Sequence, residues 1–377
     1  MLEHEFILSF SKINNDTWTK DWNLDWEYIF KQSSAHRVAA LLCHNIKDLP
    51  VPAPIFERFE QAYTYNAFHN LLYMEELEKV IDEFEKHGIK SIVLKGPALA
   101  QDVYKNIALR PFSDIDILIH KEDISNAGAI LNNLGFKSKN DNFYKKYHFH
   151  LPFVKEGKLP VNLELHWALV DQFILNRIDM DVVWKTSRGN RLSEEINIIY
   201  LLLHIEKHAF FNKAVFNDGD IREWIFKNPL GNQLIWYTDT FEYVRQKDLD
   251  WNLITNLAKT WCVENIVCYN CGILNKLYPG AVPESAGHFK LGRFKKLIYK
   301  TAIRLTPSFE VHSELQLRPV RAVDLINYLF PPVGTLKIYY CNLRFAPGIL
   351  LPGIHFFCGV RNIAVTFVGI CIQKLIK

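Results

Sequence analysis

Ser91-Ile92-Val93-Leu94-Lys95-Gly96-Pro97-Ala98-Leu99-Ala100, followed by Leu109-Arg110-Pro111-Phe112-Ser113-Asp114-Ile115-Asp116-Ile117-Leu118-Ile119, is the part of the chain that decides the fold. The first stretch continues a β-branched run from Ile89, breaks at Lys95-Gly96 and predicts a helix from about Pro97 to Lys105. The second predicts a strand from Asp114 to His120. Upstream, Phe56, Phe59, Tyr63, Ala67, Leu71, Met74, Leu77, Ile81 and Phe84 recur at helical spacing, so one long helix is expected over 55–87 with Gly88 as its stop. Downstream come a helix from about Asp123 to Leu134 closed by Gly135, and strands near Tyr144 to Val154 and Leu159 to Trp167, parted by Glu156-Gly157-Lys158. The order β-α-β-α-β-β predicts an α+β fold, a compact mixed sheet with helices packed on it.

Side chains two apart on a strand share a face, so Asp114 and Asp116 project together with their Cα atoms about 6.6 Å apart. Carboxylates held that close repel unless a cation neutralises them, and Mg²⁺ takes carboxylate oxygens together with substrate phosphates. Two ions about 3.5 to 4 Å apart, as in two-metal phosphoryl transfer, suit bridging aspartates on one strand face. The run Val161-Asn162-Leu163-Glu164-Leu165-His166-Trp167 supplies a third carboxylate, Glu164, sharing its face with Asn162 and His166. Glu164 is expected to complete a metal site and to orient or deprotonate an acceptor hydroxyl. Gly96 stands between a strand and a helix start, where free N–H groups favour an anion such as a triphosphate. Lys95 and Arg110 flank it and are assigned to phosphate charge.

The chain of 377 residues, 49% hydrophobic and 14% aromatic, is long enough for two or three structural units with a large core. Forty-four basic and 41 acidic residues leave a net charge of +3, too balanced to announce nucleic acid as a partner. The segmentation expected is an N-terminal helical region 1–88, a catalytic core 89–170, a helical domain 171–305 and an apolar C-terminal segment 306–377. Within the first, His36-Arg37-Val38-Ala39-Ala40-Leu41-Leu42 reads as the clearest helical run. MLEHEFILSF is acidic where a secretory leader is basic, and the seven cysteines are odd in number; both predict a reducing cytoplasm and free thiols. Residues 349–376 are apolar but interrupted by Pro352, His355, Arg361 and Lys374, so no transmembrane helix is expected. The basic run from Lys290 to Arg304 reads as a solvated helix face and leaves room for peripheral membrane contact.

Leu94-Lys95-Gly96, Arg110-Pro111-Phe112-Ser113-Asp114-Ile115-Asp116-Ile117-Leu118 and Glu164-Leu165-His166-Trp167 together resemble the signature of a family of uncharacterised nucleotidyltransferases, over about 55–280. The resemblance implies a polymerase-β-like nucleotidyltransferase sheet with flanking helices plus a mainly helical C-terminal domain. It also implies a setting among genes for polysaccharide or modified-peptide biosynthesis. One departure matters: Gly96 is followed by Pro97, whereas the broader superfamily carries Gly-Ser or Gly-Gly. Proline removes an N–H and a hydroxyl, so triphosphate contact must shift, with Lys95 as the substitute. The later segment Leu203-His204-Ile205-Glu206-Lys207-His208 matches as well, and the resemblance suggests that His204 and His208 line the cleft. Ser113 and His166 join Lys95, Gly96 and Arg110 on the nucleotide side.

Other patterns carry less. His204 and His208 sit at i and i+4, but Glu206 is misplaced for a zinc protease. Cys268-Tyr269-Asn270-Cys271 has no second pair at zinc-ribbon distance, and Asn217-Asp218-Gly219-Asp220 lacks the remaining ligands of a calcium loop. Of His148 and His150, the second is the one nearer the expected site, and Asp239 falls on a helix that should face the cleft. The expected activity is Mg²⁺-dependent transfer of a nucleoside monophosphate from an NTP to a hydroxyl or phosphate acceptor with release of pyrophosphate. Mn²⁺ is the alternative ion, and a small molecule, glycan or peptide the acceptor class. A phosphotransferase on the same platform and a catalytically idle nucleotide-binding scaffold are the rival readings.

Overall fold

A computed structural model describes residues 1–14, 18–20, 22–138, 148–170, 178–208, 221–227, 229, 231–283 and 286, without the side chains of 206–208 and 265. The expectations for the 217–220 turn, the 290–304 basic run and the 306–377 segment lie outside these residues.

The chain begins with three short helices, α1 (Leu2–Phe10), α2 (Trp26–Ala35) and α3 (Ala39–Ile46), and then α4 (Ala53–Lys86). The helical pattern read upstream of the sheet is α4, and Gly88, at φ +69, ends it as a residue without Cβ can. The run His36 to Leu42 is not one helix. His36 caps α2, Arg37 adopts left-handed φ +59, and helix resumes at Ala39. No glycine or proline announces this turn; the backbone bonds Arg37 N–H to Ser34 O and Val38 N–H to Ser33 O close it.

β1 (Ser91–Leu94) leads into α5 (Lys95–Leu99), which widens into a π-helical turn at Ala100–Tyr104 and stops at Lys105, φ +57. β2 (Ile115–Ile119), α6 (Ile124–Asn133), the short β3 (Lys137–Ser138), β4 (His150–Lys155) and β5 (Val161–His166) complete the α+β core. The strand expected from Asp114 begins one residue later, so Asp114 stands on its threshold. Strand order is β1-β2-β5-β4-β3, with β2 and β5 parallel and the other neighbours antiparallel.

The two faces of this sheet meet different surroundings. Val93, Ile115, Ile117, Leu151, Phe153, Leu163 and Leu165 pack with Tyr73, Leu77, Val80 and Phe84 of α4 and Ala127 and Leu131 of α6. Alternation sends Ile92, Leu94 and Leu118 to the opposite face, into a second core. That core is built from α1–α3 and α7 (Met180–Thr186), α8 (Glu194–His208), α9 (Ile221–Lys227), α10 (Leu234–Gln246), α11 (Trp251–Thr260) and α12 (Glu264–Leu277). Asp116, Glu164 and His166 share the parity of Leu118, so they point to the helical side. No helix among the described residues is long and apolar enough to cross a membrane.

Candidate active site

Register places the polar side chains before any side-chain geometry is considered. Leu94 pairs with Asp116, Asp116 with Glu164, Leu118 with His166, and His150 of β4 with His166. Asp116 and Glu164 therefore sit side by side on neighbouring strands, and Lys95 leaves the end of β1 beside them.

Tyr73 of α4 fixes the strand entrances. Its hydroxyl lies 3.2 Å from Ser113 O and 3.0 Å from Pro160 O, the residues leading into Asp114 and into β5, and it accepts from Asn162 N–H at 3.3 Å. Asn162 Nδ2 donates to Ser113 O at 3.2 Å, tying the two approaches together. Asn70, one turn before Tyr73, donates to the carbonyls of Ile107 and Arg110.

Asp116 is buried and doubly partnered: Lys95 Nζ lies 3.1 Å from Oδ2, and His166 Nε2 2.8 Å from Oδ1. The same His166 nitrogen is 3.3 Å from Glu164 Oε2, and His150 Nε2 is 3.7 Å from that oxygen. Burial opposes ionisation of Asp116, but Lys95 and His166 outweigh it and hold its carboxyl well below the usual range. Asp114 behaves oppositely. Burial first, then the charges of Asp116 and Glu164, push it up to about 6, with Lys95 and Arg110 only partly relieving the repulsion. Burial likewise works against Glu164, yet the His166 hydrogen bond keeps it low. For Lys95, burial alone would lower the ammonium, and Asp116 with Tyr200, Asp114 and Glu164 raises it instead. The cluster retains negative charge that one lysine and one histidine do not cancel.

Lys95, Asp114, Asp116, Glu164 and His166 thus form one constellation, with Lys95 at φ +43. Gly96 sits directly behind it, in close packing: a Cβ there would meet Phe112 Cβ at 2.6 Å and Arg110 Nη1 at 3.0 Å. Arg110 is turned away to Asp239, with Nε to Oδ1 and Oδ2 at 3.2 and 3.1 Å and Nη2 to Oδ2 at 2.6 Å; both residues are buried. Tyr104 O–H donates to the same carboxylate at 2.8 Å. Ser113 is exposed, and its carbonyl serves the Tyr73 clamp. His204 stacks edge-on against Trp236, centroids 5.6 Å apart, one turn along α8 from Tyr200. The side chain of His208 lies outside the described residues.

Two contributors were not read from the sequence. Tyr200 lies within an apolar run that reads as plain core, yet Lys95 Nζ approaches its ring to 5.8 Å. Arg37 makes no side-chain hydrogen bond or ion pair among the described residues. Burial and the like charge of Arg110 depress its guanidinium, and Asp114 and Asp239 favour it. Only its left-handed backbone marks it, and that is invisible in a sequence without glycine there. His150, weighed only as a neighbour of the site, joins it through Glu164.

Comparison with curated proteins and with solved structures yields no match. The family model described as uncharacterised nucleotidyltransferase matches residues 23–279, a span that holds the sheet, every residue of this cluster and helices α2 to α12, and the chain belongs to that family.

Proposed function

We propose that the protein moves a nucleoside monophosphate from an NTP to a hydroxyl or phosphate acceptor, releasing pyrophosphate, with Mg²⁺ as the physiological ion and Mn²⁺ as its substitute. The observation that carries this reading is the pairing of Asp116 with Glu164 across parallel strands, with Asp114 at the strand threshold. Three carboxylates offer an all-oxygen donor set of the kind Mg²⁺ accepts, and Asp114, which burial first and then the charges of Asp116 and Glu164 push up, would be relieved by a cation there. Asp114, Asp116 and Glu164 would hold the ion, which when bound supplies charge stabilisation to the triphosphate.

The chain's own groups do the rest. Lys95, held charged beside Asp116, brings an ammonium to the phosphates from the end of β1. Pro97 leaves the α5 N-terminus one N–H poorer, and this ammonium takes over that share of the anion. Glu164 is the more exposed of the pair, with 29% side-chain accessibility, so its carboxylate can face an acceptor hydroxyl and take its proton. The acceptor oxygen then bonds to the α-phosphorus as the bond to the β-phosphate bridging oxygen breaks, and pyrophosphate departs with that electron pair. His166, donating to Asp116 and Glu164, keeps both carboxylates aimed at the same space.

The acceptor belongs to the small-molecule, glycan or peptide class, since nothing in the charge balance favours nucleic acid. Incubation with α- and γ-labelled NTPs, Mg²⁺ and a lysate of the host tests the reading. Label from the α-position is expected in an adduct together with free pyrophosphate. Transfer of the γ-label alone would make the protein a phosphotransferase, and no transfer of either label would refute enzymatic use of the site.

A further inference from the structure

Two imidazoles and a carboxylate converge at the end of β5 in a way the three-carboxylate scheme does not require. Antiparallel pairing sets His150 opposite His166 and one pleat from Glu164. One ligand atom from each of His150, Glu164 and His166 lies within 4.8 Å of the others. The two nitrogens stand 3.7 and 3.3 Å from the same oxygen, Glu164 Oε2. Ligands bound at about 2.1 Å to one ion, at angles between octahedral and tetrahedral, are about 3.0 to 3.4 Å apart. The separation at His166 falls in that range and the one at His150 exceeds it by about 0.3 Å, so the glutamate oxygen already stands near ligand spacing from both rings. Both rings are buried and Glu164 is partly open.

Charge compensation alone explains one imidazole, because His166 already serves Asp116 and Glu164. It does not explain a second one on the same glutamate oxygen. A two-nitrogen, one-oxygen set is also not what Mg²⁺ selects; imidazole suits the borderline first-row ions.

We propose that His150, Glu164 and His166 bind a divalent transition-metal ion of the Mn²⁺ to Zn²⁺ series beside the Asp114–Asp116 pair, resting on the assignment of those aspartates and Glu164 to nucleotide transfer. When the ion enters, His166 exchanges its contact with Asp116 for the metal, and Asp116 is left to Lys95 and the nucleotide's cation. The site therefore couples metal occupancy to the freedom of the central aspartate.

Co²⁺ alone, titrated into the chelator-stripped full chain, reads the site directly through its visible absorption. One equivalent is expected to give the intense bands of nitrogen-ligated, low-coordinate Co²⁺. One equivalent of Zn²⁺ is expected to remove them, whereas about a 100-fold excess of Mg²⁺ leaves them in place. His150→Gln and His166→Gln are each expected to weaken Co²⁺ binding at least about tenfold, and Asp114→Asn to leave the bands intact. A spectrum no stronger than that of hydrated Co²⁺, displacement by Mg²⁺ as readily as by Zn²⁺, or unchanged bands in folded His150→Gln would overturn the proposal. The Zn²⁺ against Mg²⁺ displacement uses the unmodified chain and so decides the matter even if a histidine variant fails to fold. Mg²⁺-dependent NTP binding, measured separately, is the test of nucleotide transfer; its survival alongside a failed Co²⁺ result removes this proposal alone.

Discussion

Glu164 and Asp116 are neighbours in register but differ in what their loss should do, because one is half-open and the other is locked between Lys95 and His166. Glu164→Gln leaves His166 its bond to Asp116, so the expected cost in urea unfolding is about 1 kcal/mol, with transfer falling about 10²-fold or more. Unchanged turnover in a folded Glu164→Gln protein would remove the glutamate from the chemistry. Gly96 makes a separate point. Its added Cβ would press on Phe112 Cβ at 2.6 Å, a contact that no rotamer change relieves, so Gly96→Ala is expected to destabilise by about 1–3 kcal/mol in a thermal melt. An unaltered melting temperature would show that the backbone there yields freely. That Glu164 and His166 share one face of β5 was legible because strand alternation is a local rule that acts on two residues at a time. Arg110 was not: its flanking position suggested phosphate, and the partner that claims it, Asp239, lies on a helix distant in sequence.

At the scale of elements, the Arg110–Asp239 pair with Tyr104 fastens the segment between α5 and β2 to α10. Asp239→Asn strands a buried guanidinium and is expected to cost about 3–5 kcal/mol in urea unfolding, most of it recovered by Arg110→Met with Asp239→Leu. A loss below 1 kcal/mol would mean the pair does not hold these elements together. The start of α10 rests on the α2–α3 turn, where Leu234 N–H donates to His36 Nδ1 at 3.2 Å and Ile235 N–H to His36 O at 3.2 Å. Burial lowers His36 to about 4 from an ordinary 6.5, with the nearby His4 adding to the effect. The unfolded chain therefore takes up a proton near pH 6.5 that the folded chain refuses until about pH 4. Stability from this residue is full above 6.5 and declines as pH falls toward 4, by about 3 kcal/mol in all. His36→Gln should flatten that part of the stability curve; an unchanged slope would place the titration elsewhere. Helix α4 and its Gly88 stop could be read from periodicity, since both follow from the residues themselves. The π-helical turn after α5 and the left-handed Arg37 could not, because no glycine or proline within them announces either.

Across the whole molecule, the sheet divides two apolar cores, and the polar cluster occupies the face toward the helices rather than the face against α4 and α6. A one-residue slip of β5 would exchange Glu164 and His166 for Leu163 and Leu165, so the interior apolar pattern and the chemistry enforce one another. That pattern made the α+β class readable from residues 89–167. The packing of α1–α3 with α7–α12 into a single core was not readable, because it is a matter of which helices meet, and amphipathic spacing says only that each must meet something. The central claim is that Asp114, Asp116 and Glu164 hold a nucleotide triphosphate through a divalent cation. Equilibrium dialysis of α-labelled NTPs against the full chain, in Mg²⁺ and in chelator, with Asp116→Asn checked for retained helicity beside it, measures this directly. Binding is expected in Mg²⁺ only and lost from the variant; equal retention of nucleotide in chelator, or by folded Asp116→Asn, would contradict it.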